Sequence, residues 1–252
     1  MYNIITAEIL KLKGSKMLWM VAFISFIPAP IKLIQHFIGK GPGTADWNSF
    51  ISTGQELAVF GMLTSIILVS CFIFTMEYQY NTVSYIFTAP VSKVKMLAAK
   101  ILALLLIITF SYLVSGISNI IFGYAVIREM IPFKTAYLYF QATVGSILIY
   151  FSLTALIAAI NIAFKRLAIS VTLLMGYLML FFPFHLKGNV LINPFMIPTV
   201  VASKIFGSTG YIFKDYYKDI TVNYMEIAGL LTVIFIIPFI TSMLYYKKSD
   251  VF

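Results

Sequence analysis

The chain alternates between long uncharged apolar runs and short polar connections. Six runs stand out, at 17–38, 57–76, 101–127, 138–164, 167–185 and 227–246; the first is interrupted only by Lys32 and His36 near its end. Each approaches or exceeds the roughly 20 residues a helix needs to cross a bilayer. None shows the every-second-residue alternation of a barrel strand. Lipid offers the backbone no hydrogen-bond partner, so runs of this kind are satisfied as helices. The pattern predicts an all-α integral membrane protein, a bundle of six transmembrane helices forming one domain over 1–252. Pro28 and Pro30 lack the N–H of a continuous ladder, so the first span is expected to bend or stop there and to continue to Ile38, with Lys32 snorkelling to the far interface.

The segment ahead of the first span has its own pattern. On a helical wheel Met1, Tyr2, Ile4, Ile5, Ile9 and Leu12 share one arc, which predicts an amphipathic interfacial helix over 1–16. Glu8 falls inside the apolar arc and Leu10 outside it. Two readings follow: part of this face meets protein, or Glu8 snorkels from a simple interfacial anchor. Lys11, Lys13 and Lys16 also fit the basic start of a secretory signal, but the basic segment is long and the cleavage-site pattern is poor.

Between the second and third runs, residues 77–100 are too polar to span and too apolar for a plain solvent loop. Pro90 is suited to start a short turn of helix. Ser92, Lys93 and Lys95 would face headgroups or a partner, and Lys100 stands at the mouth of the third run. A cytoplasmic segment that pushes against a soluble motor and a loop anchored by basic residues both fit. The outer loop 186–226 carries an apolar piece, 195–206, with Pro194 and Pro198; it is too short to cross and has the length of a re-entrant or interfacial helix. Tyr211, Phe213, Tyr216, Tyr217 and Tyr224 crowd its polar end, as an aromatic belt or as a surface for an amphipathic substrate.

Composition removes the soluble alternatives. With 61% hydrophobic and 11% charged residues in 252, the chain lacks the polar side chains to coat a globule, since ordinary domains carry about 25% charge. Spans and connections use up its length, leaving no room for a fused ATPase or kinase. The net charge of +9 sits in clusters beside apolar runs, so anionic headgroups, not nucleic acid, are the expected counter-charge. With the N-terminus inside, ten of the 18 Lys and Arg are cytoplasmic, against the carboxylates Glu8, Glu77 and Asp250. That bias places both termini in the cytoplasm. The single cysteine, Cys71, lies in an apolar run and reads as packing.

Candidate chemistry is sparse. The runs after the first contain no charged residue, which disfavours a proton relay or ion site of the usual kind; Asn119, Gln141 and Asn161 are the amides left for a neutral sodium site or for interhelical hydrogen bonds. His36 and His185 stand alone, and neither a nucleophile with its base nor a metal-ligand spacing is present. The stretch Gly39-Lys40-Gly41-Pro42-Gly43-Thr44 lacks the spacing of a phosphate loop and reads as a linker. No catalytic, cofactor or metal residue is therefore assigned, and any ATP would be bound by another chain. Ser111, Ser115 and Asn119 at four-residue spacing, with Ala155 and Ala159, offer close helix contacts.

Several of these residues together resemble a known family. Glu8-Ile9-Leu10-Lys11-Leu12-Lys13-Gly14-Ser15-Lys16 before a span, Glu77 to Thr82 followed by Ala89-Pro90-Val91-Ser92-Lys93, and the closing Tyr245-Tyr246-Lys247-Lys248-Ser249-Asp250 are similar to type-2 ATP-binding-cassette permeases. Glu77 with Asn81-Thr82 matches the family's acidic residue and Gly-Thr, except that Asn81 replaces glycine; asparagine tolerates the left-handed region a tight turn needs. The resemblance implies a permease that pairs with itself or a sister subunit above separately encoded ATPase subunits carrying ATP and Mg. It makes Glu8, Glu77, Asn81, Thr82, Pro90, Ser92, Lys93 and Lys95 the expected coupling residues, with Glu77 bonding to the start of the following helix. Permeases of this size also resemble the lantibiotic self-protection subunits of the Gram-positive plasma membrane, which implies export of an amphipathic peptide. Drug, lipid or sodium export and a non-transporting scaffold are the alternatives. Lys204, Lys214 and Lys218 would repel a cationic peptide unless Asp215, Asp219 and Glu226 offset them.

Overall fold

The computed structural model describes residues 2–38, 46–80, 82, 92–186, 193–207, 220 and 222–248. Among these there is no strand. Nine α-helices follow in order: α1 (Tyr2–Gly14), α2 (Met17–Phe26), α3 (Pro28–Ile38), α4 (Trp47–Gln79), α5 (Lys93–Ile127), α6 (Phe133–Phe164), α7 (Leu167–Leu186), α8 (Ile197–Phe206) and α9 (Tyr224–Lys248), with a 3-10 turn, Pro194–Met196, leading into α8. Five helical segments are long and apolar enough to cross a membrane: Met17–Ile38, Trp47–Gln79, Lys93–Ile127, Phe133–Phe164 and Tyr224–Tyr245. The described apolar part of α7, Leu167–Leu180, is shorter than these.

Local sequence explains most boundaries. The chain turns from α1 into α2 through Ser15 and Lys16, where Ser15 Oγ donates to Leu12 O at 2.8 Å and Lys16 adopts φ 60°. The expected break in the first span is at Ile27, between α2 and α3. Pro30 cannot donate to the carbonyl four residues back, and Ser118 Oγ of α5 takes that carbonyl, Phe26 O, at 2.9 Å. Arg128 and Lys165, at φ 59° and 55°, close α5 and α6 in left-handed caps. Pro132 precedes α6 with extended backbone.

Two helices overrun the apolar runs that announced them by two turns or more. α4 begins at Trp47 instead of 57, capped by Asp46, whose Oδ2 accepts from Ser49 N at 3.4 Å. α5 begins at Lys93 instead of 101. At about 1.5 Å per residue each is roughly 50 Å long, well beyond a hydrocarbon core of about 30 Å. The added turns contain Ser52, Thr53, Gln55 and Glu56 in α4 and Lys100 in α5, all buried. They are helical because the bundle encloses them, whereas their polarity alone reads as connection.

α4 is the most enclosed spanning helix, with 71% of its apolar window buried, against 17% for α9. Leu12, Val69, Ile73, Phe74, Leu97 and Leu104 form one apolar cluster, at the end of the bundle that holds α1. Trp47, Ile51, Met62, Tyr150, Phe195 and Val200 belong to a second, which reaches the opposite end. There Trp47 Nε1 donates to Glu129 O at 3.2 Å, and Thr135 Oγ1 donates to Asn48 Oδ1 at 2.7 Å. Gly123 is required at this crossing, because a Cβ on it would run into the Trp47 ring. The apolar piece at 195–206 forms the 3-10 turn and α8, whose Ile197 and Val200 are fully buried. Tyr211, Phe213, Tyr216, Tyr217, Lys214, Asp215, Lys218 and Asp219 lie outside the described residues, as does the glycine-rich linker.

Candidate functional site

The charged residues of the α1 end converge. Glu8 falls on the α1 face that also buries Leu12, and is 4% exposed. Glu77 lies in the last turn of α4 and Lys100 two turns into α5, on the face that buries Leu97 and Leu104. Lys11, one turn after Glu8, is half-buried beside them. These four side chains close a ring: Lys11 Nζ lies 2.7 Å from Glu8 Oε1 and 3.2 Å from Glu77 Oε1, and Lys100 Nζ lies 2.7 Å from Glu77 Oε1 and 3.3 Å from Glu8 Oε2.

Lys100 Nζ also donates to Ile73 O at 2.9 Å, which gives each of its three N–H groups an acceptor. Two carboxylates and two ammonium groups cancel, so the ring carries no net charge into the interior. That neutrality decides whether such a site is tolerable, because an unpaired buried ion costs several kcal/mol. Burial alone would lower the Lys11 pKa; the hydrogen bond to Glu8 and the charges of Glu8 and Glu77 outweigh it and leave the group above its ordinary 10.5.

Of the two readings of Glu8, the geometry selects contact with protein: its carboxylate does not reach out to the interface but binds α5 and, through Lys11, α4. The segment start to which Glu77 was expected to bond, around Pro90, lies outside the described residues. Among the described residues the Glu77 side chain pairs with Lys11 and Lys100, while its main-chain carbonyl accepts from Thr82 N at 2.9 Å and Thr82 Oγ1 at 3.4 Å. The Thr82 N–H to Glu77 O closure is that of a Schellman-type helix end. Ser92 precedes α5 without a side-chain capping bond and is exposed, as is Lys95, while Lys93 is half-buried. Asn81 and Pro90 lie outside the described residues. Lys11 and Lys100 complete the site, and neither was a candidate. The available signals were an acid on an apolar arc, which requires a cation, and a lysine flanked on both sides by apolar residues.

The opposite end holds a different buried lysine. Lys32 does not snorkel to the interface; it is fully buried, with Nζ donating to Ser49 O at 3.0 Å and to Phe50 O, 4.3 Å from the centre of the Phe50 ring. The spans are also less free of charge than their apolar runs, because Glu56, Glu77 and Lys100 sit inside α4 and α5. The amides do not gather into an ion site. Gln141 is exposed and donates to Tyr137 Oη, Asn161 donates to Ile157 O and Cys71 Sγ, and Asn119 donates to Ser115 O. Among the described residues no three of His, Cys, Asp and Glu are grouped as metal ligands. Cys71 is buried, and the His185 side chain lies outside the described residues.

The family profile described as ABC-2 family transporter protein matches residues 4–181, more than half of the chain and a stretch that includes all four ring residues. No curated protein matches the chain.

Proposed function

We propose a role that starts from one premise: the chain belongs to the ABC-2 family of transporter proteins. Membership carries a multi-pass membrane permease and, for the family in general, an ABC ATPase partner. The proposed role is the membrane-spanning subunit of an ATP-driven exporter, paired with itself or a sister permease, with hydrolysis of Mg-bound ATP in a separate chain. The observation that carries it is the ring. Glu77 and Lys100 flank residues 83–91 in sequence, and both are tied to α1, so a load applied to that connection enters α1, α4 and α5 together. Glu8, Glu77 and Thr82 then serve as transmission residues, joined by Lys11 and Lys100, and Asn81, Pro90, Ser92, Lys93 and Lys95 belong to the surface that receives the load.

In this reading α7 makes the sixth crossing, α8 is the re-entrant helix of the outer side, and both termini are cytoplasmic in a plasma membrane. Lys11, Lys13, Lys16, Lys93, Lys95, Lys100, Lys165 and Arg166 at the α1 end support that orientation. The substrate is an amphipathic compound leaving the membrane, an antimicrobial peptide of the lantibiotic class being the leading case and drug, lipid or sodium the alternatives.

The test is export by the complex of this chain and its ATPase in proteoliposomes, for wild type, Glu77→Ala and a chain lacking residues 1–13. Both variants are expected to insert and to retain the ATPase while losing at least about tenfold in ATP-dependent export, a loss equivalent to about 1.4 kcal/mol of coupling. Full export by both would remove the ring from the mechanism. Export that follows the membrane gradient and ignores ATP would replace the reading with an ion-coupled carrier.

A further inference from the structure

The polar stripe of α5 has no part in the ring. Ser111, Ser115 and Asn119 recur at four-residue spacing and are all buried. Ser115 and its neighbour Tyr112 open onto a small pocket bounded by Gln55 and Met62 of α4, by Tyr139 and Ser146 of α6, and on one side by α8. Its free space matches about one water-sized guest.

The walls are polar in a particular way. The Tyr112 hydroxyl lies beside Ser146, and the Tyr139 hydroxyl beside Asn119, Thr143 and Ser115. Gln55 is 8% exposed, and its Oε1 is buried without a hydrogen-bond partner. An amide oxygen only accepts, so the guest that satisfies it must donate. A metal cation has no hydrogen to donate and would instead have to coordinate this oxygen, but no carboxylate lines the pocket, and an ion held there by neutral oxygens alone would lose its hydration without a counter-charge. A neutral donor that can also accept from hydroxyl groups fits both the size and the charge.

We propose that this pocket holds one ordered water molecule, donating to Gln55 Oε1 and bridging it to the hydroxyls of α5 and α6. The site joins α4, α5 and α6 where α8 borders them, among side chains that are nearly all buried.

X-ray radiolytic hydroxyl labelling of the full-length protein in nanodiscs tests this, because bound water generates radicals beside otherwise buried side chains. Met62 and Met196 are 2% and 1% exposed, so exposure alone predicts equal rates. Met62 is expected to label at least about threefold faster than Met196, and this excess to disappear in Gln55→Leu/Ser115→Ala, which removes the acceptor and one hydroxyl. Equal labelling of the two methionines in wild type overturns the proposal without reference to any variant, as does an excess that survives the double substitution in a folded protein. Repeating the measurement with sodium replaced by choline separates the guests. An unchanged Met62 rate is expected; a sodium-dependent rate would assign the pocket to a cation and overturn the water site.

Discussion

The two ends of the bundle each bury a lysine, and they neutralise it by opposite means. At the α1 end Lys100 is held by two carboxylates from two other helices, with a third contact to Ile73 O. At the other end Lys32 is held by the carbonyls of Ser49 and Phe50 and by the Phe50 ring, all on α4. Charges from separate elements make each element's position depend on the others. Carbonyl dipoles from one helix fix one span against its neighbour and nothing further. The first arrangement can transmit a displacement among three helices, while the second is a pin.

The difference sets an order of sensitivity. Lys100→Met should have the largest effect, because it leaves Glu8 and Glu77 buried with only Lys11 between them. Breaking a buried pair by removing one partner costs about 3–5 kcal/mol. The check is thermal unfolding in detergent, followed through the pH dependence of the midpoint. The loss should shrink when Glu77→Gln is added to Lys100→Met, since the second change removes the orphaned charge. A double variant less stable than Lys100→Met alone would mean that the ring acts through packing, and the contrast between the two ends would fail.

How far the sequence discloses this follows from what periodicity encodes. Long apolar runs locate spans, and Pro28 and Pro30 locate the interruption of the first, because both act through the local backbone. The wheel also put Glu8 on the wrong face for a lipid anchor, and the family resemblance singled out Glu77. A pattern names a face but not the partner opposite it, so the closure of Glu8 and Glu77 through Lys11 and Lys100 needed the fold. The same limit hid the early starts of α4 and α5. Residues 47–56 and 93–100 read as connections because their polarity is visible and the helices that bury it are distant in sequence. Lys32 was misplaced for this reason: a lysine near the end of an apolar run is expected to reach water unless another helix offers it carbonyls.

At the pin, Lys32→Met should matter little. The Ser49 carbonyl keeps an acceptor role without the ammonium, because Thr53 Oγ1 donates to it at 2.8 Å, and a methionine fills nearly the same volume. Such a swap is expected to fall within about 1.5 kcal/mol of wild type, and export should persist. Measured beside Lys100→Met in the same unfolding assay, it sharpens the contrast. A loss as large as that at Lys100 would show that the Lys32 end is also an interhelical joint, with the charge of Asp46, which acts on Lys32, the first to examine.

The smallest effect is expected at Lys11, the half-buried member of the ring. Solvent reaches the Lys11 side of the ring and not the Lys100 side, so water takes over part of the compensation that Glu8 and Glu77 lose; pairs of this exposure contribute about 1 kcal/mol or less, and Lys11→Met should lower the unfolding midpoint only slightly. Its signature is the pH at which that small difference vanishes. The folded-state pKa of Lys11 lies above the 10.5 of an unfolded chain, because its carboxylate partners outweigh its burial. A group raised in this way contributes its full stabilisation below 10.5 and loses it as the pH rises through the higher folded value. The wild-type minus Lys11→Met difference should therefore stay level from neutral pH to about 10 and decline only beyond it. A decline beginning near neutrality would place the titrating group elsewhere and free Lys11 from the ring, leaving Lys100 as the cation that holds the two acids together.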